Sequence, residues 1–243
     1  MTKLYEFAIS HYCEKARWAL DHHALPFKRV QLIPGPHILT TKRLAPKTGV
    51  PILTHDGKTI QESAAIISYL DEVDPEKSLT PTDSNLRKEA IELEKYCDFE
   101  IGPHLRRYFY NTLLDRPKEV VPLLLQSGPW YGPCLYKIIF PKIRSFMRQS
   151  MRINPESAER SKKRLTDAMD NLSQKLIGKK FLIGNKFSRA DVAAASLLAP
   201  LCRPINHPFK WIGQLPEPLE SFHEAHKNDP IFKWVLEIYA THR

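Results

Sequence analysis

Three short stretches hold residue types that can do chemistry. Ser10-His11-Tyr12-Cys13 joins the apolar run Lys3 to Ile9 to the helical pattern of EKARWALDHHAL, setting a hydroxyl and a thiol at a helix N-terminus. Free backbone N–H groups and the helix dipole favour an anion there. Ser10 thus has two readings, an ordinary helix cap or a hydroxyl that hydrogen-bonds a bound anion. No His/Asp pattern accompanies it to suggest a hydrolase-type triad. Glu62-Ser63 opens a second helix, either as a plain acidic helix start or as another anion-favouring terminus. His104, Arg107 and Tyr108 lie within about one helical turn, where His104 shares a face with either neighbour; core or surface packing is the alternative. Cys13, Cys97, Cys134 and Cys202 form no CxxC pair and no metal-ligand spacing, so reduced thiols are expected, with neither a disulfide framework nor a bound metal.

Elements must position these groups. Lys3 to Ile9 reads as a short buried strand, and the helix after Ser10 carries Ala16, Trp18, Ala19 and Leu20 at helical spacing and ends at Pro26. FKRVQLI is a second strand, and PGPHILTTKRLAP a short helix or irregular segment. Val50 to Thr54 and Lys58 to Ile60 flank His55-Asp56-Gly57, a turn whose Asp-Gly supplies the positive φ angles of a tight hairpin. Gln61 to Val73 follows as a helix with Ala65, Ile66, Tyr69, Leu70 and Val73 on one face. The order is β-α-β-α-β-β-α, an α/β domain.

From Asp74 to Asp83 the composition turns to Pro75, Ser78, Pro81 and Thr82, a linker signal. The domain assignment is therefore 1–76, a linker over 77–86, and an all-α domain over 87–243. Helical periodicity runs over 85–114, 157–177 and 189–201, with further helices near 219–226 and 231–240. In FSRADV, Ser188 caps a helix starting at Arg189, Asp191 returns the bond, and Phe187 staples onto Val192. The Ala, Val and Leu that follow demand burial on all sides. Residues 121–153 hold too many prolines for one continuous helix. They read as a hairpin of core-packed helices with a basic outer face; the alternative is a membrane-surface attachment with Ile138, Ile139, Ile143, Phe146 and Met147 toward lipid.

The chain has 243 residues, 42% hydrophobic and 26% charged, which excludes a disordered, collagen-like or disulfide-scaffold class. No apolar run approaches the roughly 18–20 residues of a membrane span, and Lys3 and Glu6 interrupt the start where a signal peptide would be apolar, so a soluble cytoplasmic protein is expected. The formal net charge of +9 lies entirely beyond residue 76, much of it between Lys137 and Arg164. Without the spacing of a nucleic-acid-binding motif, this basic stretch reads as a solvated helix face, with peripheral membrane contact through 137–164 as the lesser reading and no nucleic-acid partner.

The β-α-β-α-β-β-α half followed by an all-helical half, with Ser10-His11-Tyr12-Cys13 at the first strand–helix turn, GVPIL, QESAAIISYL and FSRAD in that order, resembles the cytosolic glutathione transferase superfamily over essentially the whole chain. The resemblance implies a thioredoxin-like domain with a mixed four-stranded sheet, a helical domain with an apolar substrate cleft, and a homodimer active in detoxification. It also implies glutathione as co-substrate and no metal. Ser10 would then hold the glutathione sulfur as its thiolate for attack on an apolar electrophile. A cis Val50-Pro51 peptide would let Val50 pair with the cysteinyl part of the tripeptide, Ser63 would take the γ-glutamyl carboxylate and Glu62 the α-amino group. His37 and Lys47 are candidates for the glycyl carboxylate, and Tyr12, His104, Arg107 and Tyr108 for the electrophile cleft. Many serine-type relatives carry proline where this chain has His11 and a basic residue where it has Gly49. Two other functions fit the same fold: a non-catalytic binding protein, or a glutathione-dependent thiol transferase or reductase using Cys13.

Overall fold

The structure is a computed structural model and describes residues 1–211 and 213–243. Its first half follows the expected order: β1 (Lys3–Glu6), α1 (His11–His22), β2 (Lys28–Gln31), α2 (His37–Leu44), β3 (Ile52–His55), β4 (Lys58–Gln61) and α3 (Ser63–Val73). The sheet order is β2-β1-β3-β4, with β1 parallel to β2 and antiparallel to β3, and β3 antiparallel to β4. A parallel β1/β2 pair needs a crossover, which α1 supplies. Register places Leu4 opposite Leu53, both fully buried, and Asp56 and Gly57 take the positive φ values of 47° and 75° that the β3–β4 turn requires.

β1 stops at Glu6 instead of reaching Ile9, because a turn closed by Ser10 N donating to Phe7 O (3.1 Å) bends the chain into α1. The helix buries more than its apolar stripe: Glu14, Lys15 and Arg17 are as inaccessible as Ala16 and Leu20. Each charge has a partner. Arg17 binds Glu6 (2.6 Å) and Glu14 (2.8 Å), and Lys15 Nζ lies 2.8 Å from Glu94 Oε1 and from Asp98 Oδ2. Pairing makes burial of these groups tolerable, since an isolated charge in this interior would cost several kcal/mol, on the order of 3–5, when a partner is removed.

A short 3-10 turn (Pro75–Lys77) leads to eight helices among the described residues: α4 (Ser84–Glu100), α5 (Gly102–Leu113), α6 (Pro117–Leu125), α7 (Gly132–Ser150), α8 (Pro155–Lys175), α9 (Arg189–Cys202), α10 (Leu219–His226) and α11 (Pro230–His242). Helix α4 begins inside the stretch read as linker because Asp83 caps it, accepting from Asn85 N and Leu86 N at 2.9 Å. The single helix expected over 85–114 is two. Pro103 lacks an N–H to continue the ladder, and the backbone at Gly102 is pressed against the Tyr12 ring, where a Cβ would sit 2.1 Å from the phenolic oxygen. Tyr12 donates to Asp98 O at 2.7 Å across the same break.

The apolar α9 is buried over its full length, as its composition demands. Its capping box is formed: Ser188 N and Oγ donate to Asp191 Oδ2 (2.9 and 2.8 Å), and Leu182 N donates to Oδ1 (2.8 Å). Arg189 at the first turn binds Glu94 (2.6 Å), Ser68, Thr80 and the Ala64 carbonyl, reaching both halves of the molecule.

Residues 121–153 form the α6–α7 hairpin. Ile143 and Met147, two of the residues assigned to lipid in the membrane reading, are buried, and Ile143 packs on Gly35, whose missing Cβ would lie 2.9 Å from Ile143 Cδ1. Tyr136 Oη donates to Pro34 O at 2.6 Å. That face covers the β2–α2 loop, which corrects the lipid-facing assignment; Ile138 and Phe146 remain exposed. No helix among the described residues is long and apolar enough to cross a membrane.

Replacing Asp191 by alanine strips three donors of their acceptor, two of them backbone N–H groups. The expected loss is about 2–4 kcal/mol, read as a lower urea midpoint at unchanged m-value; a midpoint within error of wild type would show that the box does not hold the helix.

Candidate active site

Ser10 is the N-cap of α1. Its backbone is extended (φ −73°, ψ 120°), and its Oγ accepts from Cys13 N at 3.3 Å. The two sequence readings of this serine are compatible in one geometry: an oxygen that accepts from the helix still carries a hydrogen of its own, for which the Cys13 thiol is a neighbouring acceptor. Ser10 and His11 line a cavity of about 580 Å³ between the two halves. Its walls are predominantly apolar and come from the β1–α1 and β2–α2 loops on one side and from α5, α7 and residues near Trp211 on the other.

The remaining predicted residues divide into those at the cavity and those beyond it. His37 lines it, edge-on to Phe7 at 4.8 Å, and its Nδ1 accepts from Gly35 N at 3.0 Å, which leaves the Nε2 hydrogen as the donor. Burial lowers its pKa, with backbone contacts to Thr48 and Ile33 pulling the other way. The Val50-Pro51 peptide is cis, as expected. Ser63 is buried at the first residue of α3, and Glu62 before it is held at φ 81°, a left-handed conformation that is strained for any residue but glycine, at a cost of about 1–3 kcal/mol. Glu62 N donates to Pro51 O at 3.2 Å, and its carboxylate pairs with Lys47 in the open. Gln61, which sequence reasoning passed over, clasps this edge: its amide donates to Lys47 O (2.8 Å) and Gly49 O (2.7 Å) and accepts from Lys47 N (3.2 Å).

Four candidates point elsewhere. His104 bonds Ser161 Oγ (3.1 Å), Arg107 donates to Met151 O (3.0 Å) and Ser161 Oγ (2.9 Å), and Tyr108 packs on Phe222 at 5.1 Å, so this side of α5 faces α8. Tyr12 is spent on Asp98 and Gly102. The cavity instead receives Leu105, Arg106, Phe109, Tyr110 and Leu113. Arg106, Tyr110 and Leu113 follow the i, i+4, i+7 spacing of one helical face, and the break at Gly102-Pro103 sets its phase. That break was the missing signal, since a continuous helix leaves the direction of 104–108 open.

The electrostatics favour an anion. Burial and the nearby Arg106 guanidinium push the His11 pKa down to about 3, so the imidazole is neutral. Cys13 is fully buried, and burial with the Glu6 carboxylate pushes its thiol up to about 12, against weaker opposing contributions from Arg17, Ser10 and Phe7. A thiol so placed is neither exposed nor ionised near neutrality. No cluster of metal-ligating side chains occurs among the described residues.

A thioredoxin-like sheet domain set against a helical bundle, with a capping serine on the wall of the cleft between them, defines a two-domain protein of glutathione transferase type. Residues 4–78 match the glutathione S-transferase N-terminal domain and residues 135–205 the C-terminal domain, together more than half of the sequence. The chain belongs to the glutathione transferase superfamily. It is 26% identical over 211 residues to glutathione S-transferase TCHQD of Arabidopsis thaliana, covering 82% of this chain and 76% of that protein. Protein LigF of Sphingobium is 36% identical over 101 residues, 40% of this chain and 39% of that protein; the crystal structure of that beta-etherase superposes with a TM-score of 0.65 at 22% identity, over 97% of this chain and 98% of that one. A Burkholderia graminis glutathione transferase, solved with two glutathione molecules per subunit, gives a TM-score of 0.65 at 18% identity, over 99% and 83%. At these structural identities the likeness is one of fold.

A neutral buried imidazole makes stability depend on acid. Unfolded, His11 takes up a proton near pH 6.5; folded, it does so only near pH 3, so stability falls as pH drops through that window. Between pH 7 and pH 5, His11→Asn is expected to lose about 2 kcal/mol less than wild type, measured by urea unfolding at both pH values; equal losses would mean that His11 is not held neutral.

Proposed function

We propose that the protein is a glutathione transferase in which Ser10 holds the glutathione sulfur as thiolate for attack on an electrophile bound in the apolar cavity. The observation that carries this reading is the Ser10 hydroxyl, which accepts from Cys13 N and still carries a hydrogen to donate, at the N-terminus of α1 and on the cavity wall. A glutathione thiol at its ordinary pKa, near ~8.5, is mostly protonated at neutral pH. A donated hydrogen bond and the positive end of the helix both favour the anion.

The tripeptide would lie along the edge that Gln61 organises, its cysteinyl backbone against Val50 beside Pro51. Its γ-glutamyl carboxylate would sit at Ser63 and the start of α3, its ammonium at Glu62, and its glycyl carboxylate within reach of Lys47 and the His37 Nε2 hydrogen. Lys47 and Glu62, now paired with each other, would separate to take opposite ends of the tripeptide, the glycyl carboxylate and the ammonium. The strained φ of Glu62 supports this placement, because backbone strain of this kind clusters where ligands are gripped. Burial and the raised pKa of Cys13 speak against the thiol-transferase alternative.

A second reading is favoured by the likeness to the Sphingobium beta-etherase: the electrophile is an ether carbon. The thiolate would form the C–S bond as the C–O bond breaks, and the oxyanion would leave and take a proton from solvent. The aromatic wall formed by Phe109, Tyr110 and Phe146 suits an aryl group.

Ser10→Ala is expected to raise the pKa of bound glutathione by about one to two units and to lower kcat/KM about ten- to hundredfold, with the pKa read from ultraviolet thiolate absorption. Cys13→Ala is expected to change turnover by less than about threefold, its thiol being inert. An unshifted thiol pKa in Ser10→Ala, or loss confined to Cys13→Ala, would overturn the assignment.

A further inference from the structure

The cavity wall carries Arg106, Lys142 and Arg203 and no carboxylate among the described residues. Lys142 is exposed, and Arg203 already donates to Gly213 O at 2.6 Å. Arg106 differs from both. It forms no ion pair and no hydrogen bond among the described residues, and its Nε is buried without an acceptor. A guanidinium cannot escape this by losing its proton, so Arg106 keeps its charge on the cavity wall with no anion paired to it among the described residues. Around it the wall is apolar, with Leu105, Phe109, Leu113, Ile143 and Met147, where a hydrocarbon or aromatic body loses contact with water. His11 beside it is neutral and carries no competing charge.

We infer that this cavity takes organic acids, the apolar body lying against α5 and α7 and a carboxylate or similar oxyanion pairing with Arg106. The inference rests on reading the cavity as the second-substrate site and narrows its substrate class from apolar electrophiles to anionic amphiphiles. Arg106 is in this account the residue that selects and orients the second substrate, since a guanidinium can offer a planar oxyanion two parallel N–H donors. Lys142 at the mouth adds a positive field on the same path.

Binding separates this claim from the thiolate claim. Titration calorimetry of the full chain with phenylbutanoate and with phenylbutanamide, in the presence and absence of glutathione, compares two ligands of one shape that differ in charge. Wild type and Ser10→Ala are both expected to bind the acid about tenfold or more tighter than the amide. Arg106→Gln removes that preference while leaving amide affinity within about threefold; Arg106→Lys, which keeps the charge but not the fork, retains only part of it. Lys137→Gln, exposed and away from the cavity wall, leaves it intact. Equal affinities for acid and amide in wild type, absence of binding by either, or unchanged acid affinity in Arg106→Gln overturns the inference. So does a fall in bound thiolate absorption in Arg106→Gln with acid affinity unchanged, which would assign the guanidinium to the sulfur. Should Arg106→Gln not fold, the wild-type pair and Arg106→Lys decide. If Ser10→Ala leaves the thiol pKa unmoved while the acid preference holds, the thiolate reading alone fails.

Discussion

Lys15 has no exposed surface, and its ammonium sits between Glu94 and Asp98 of α4 at 2.8 Å from each. Glu94 in turn binds Arg189 at the start of α9, whose guanidinium reaches back to the Ala64 carbonyl and Ser68 in α3. Two cations and two carboxylates thus join α1 and α3 of the sheet domain to α4 and α9 of the helical domain. The cluster is better understood as a fixer of geometry than as a source of stability, because desolvating four charges offsets most of their attraction, whereas breaking the set strands a buried charge. Its position explains why that geometry matters. Lys15 lies on the helix that Ser10 caps, and Asp98 lies just before the Gly102 break that sets the phase of α5 and turns Arg106 to the cavity. Tyr12, bonded to Asp98 O and pressed on Gly102, completes the tie.

The charge distribution around the site follows from what is buried and what is paired. In α1 every buried charge is consumed: Glu14 by Arg17 and Arg243, Arg17 by Glu6, and Lys15 by α4. What remains facing the cavity is a hydroxyl, neutral imidazoles and cations. Neutrality of His11 and lowered basicity of His37 have one leading cause, the loss of water on burial, which penalises the charged form of a base. The positive potential therefore rests on the α1 terminus and on Arg106, and it does not switch off across the pH range in which histidines titrate.

The fold was legible wherever a local rule and the tertiary demand agree. Asp-Gly at 56–57 needs positive φ and has it; Ser188 and Asp191 satisfy each other's helix start; the alanine-rich run after them has no polar face and is enclosed. Legibility failed where a side chain's partner lies far along the chain. Glu14, Lys15 and Arg17 look solvent-facing until Glu6, Glu94 and Arg243 are brought to them, and no periodicity encodes those meetings. The α4–α5 junction shows the same thing: Gly102-Pro103 is visible as a weak point, but only the Tyr12 ring against it decides that the helix divides there and which of Arg106 and Arg107 enters the cleft. In the sheet half, the serine cap was legible because the motif is local, and the cis Val50-Pro51 bond only through the family resemblance. The Gln61 clasp was not, because its three bonds reach back across the loop before β3.

The two halves contribute separable parts of the site. Every residue assigned to the tripeptide comes from the sheet domain, while most of the cavity wall beyond Ser10 and His37 comes from α5, α7 and the segment around Trp211. Among the described residues, Gln61, Glu62 and Ser63 are absent from the cavity wall, so substitutions on those helices can reshape the cavity without contacting them. The halves meet at the β2–α2 loop, where Ile143 fills the space a side chain at Gly35 would need and Tyr136 bonds Pro34 O. His37 follows two residues later, its Nδ1 held by Gly35 N. Packing of α7 therefore bears on the orientation of the His37 imidazole on the cavity wall, and this loop is the place where a change in the helical wall would be felt by the sheet domain.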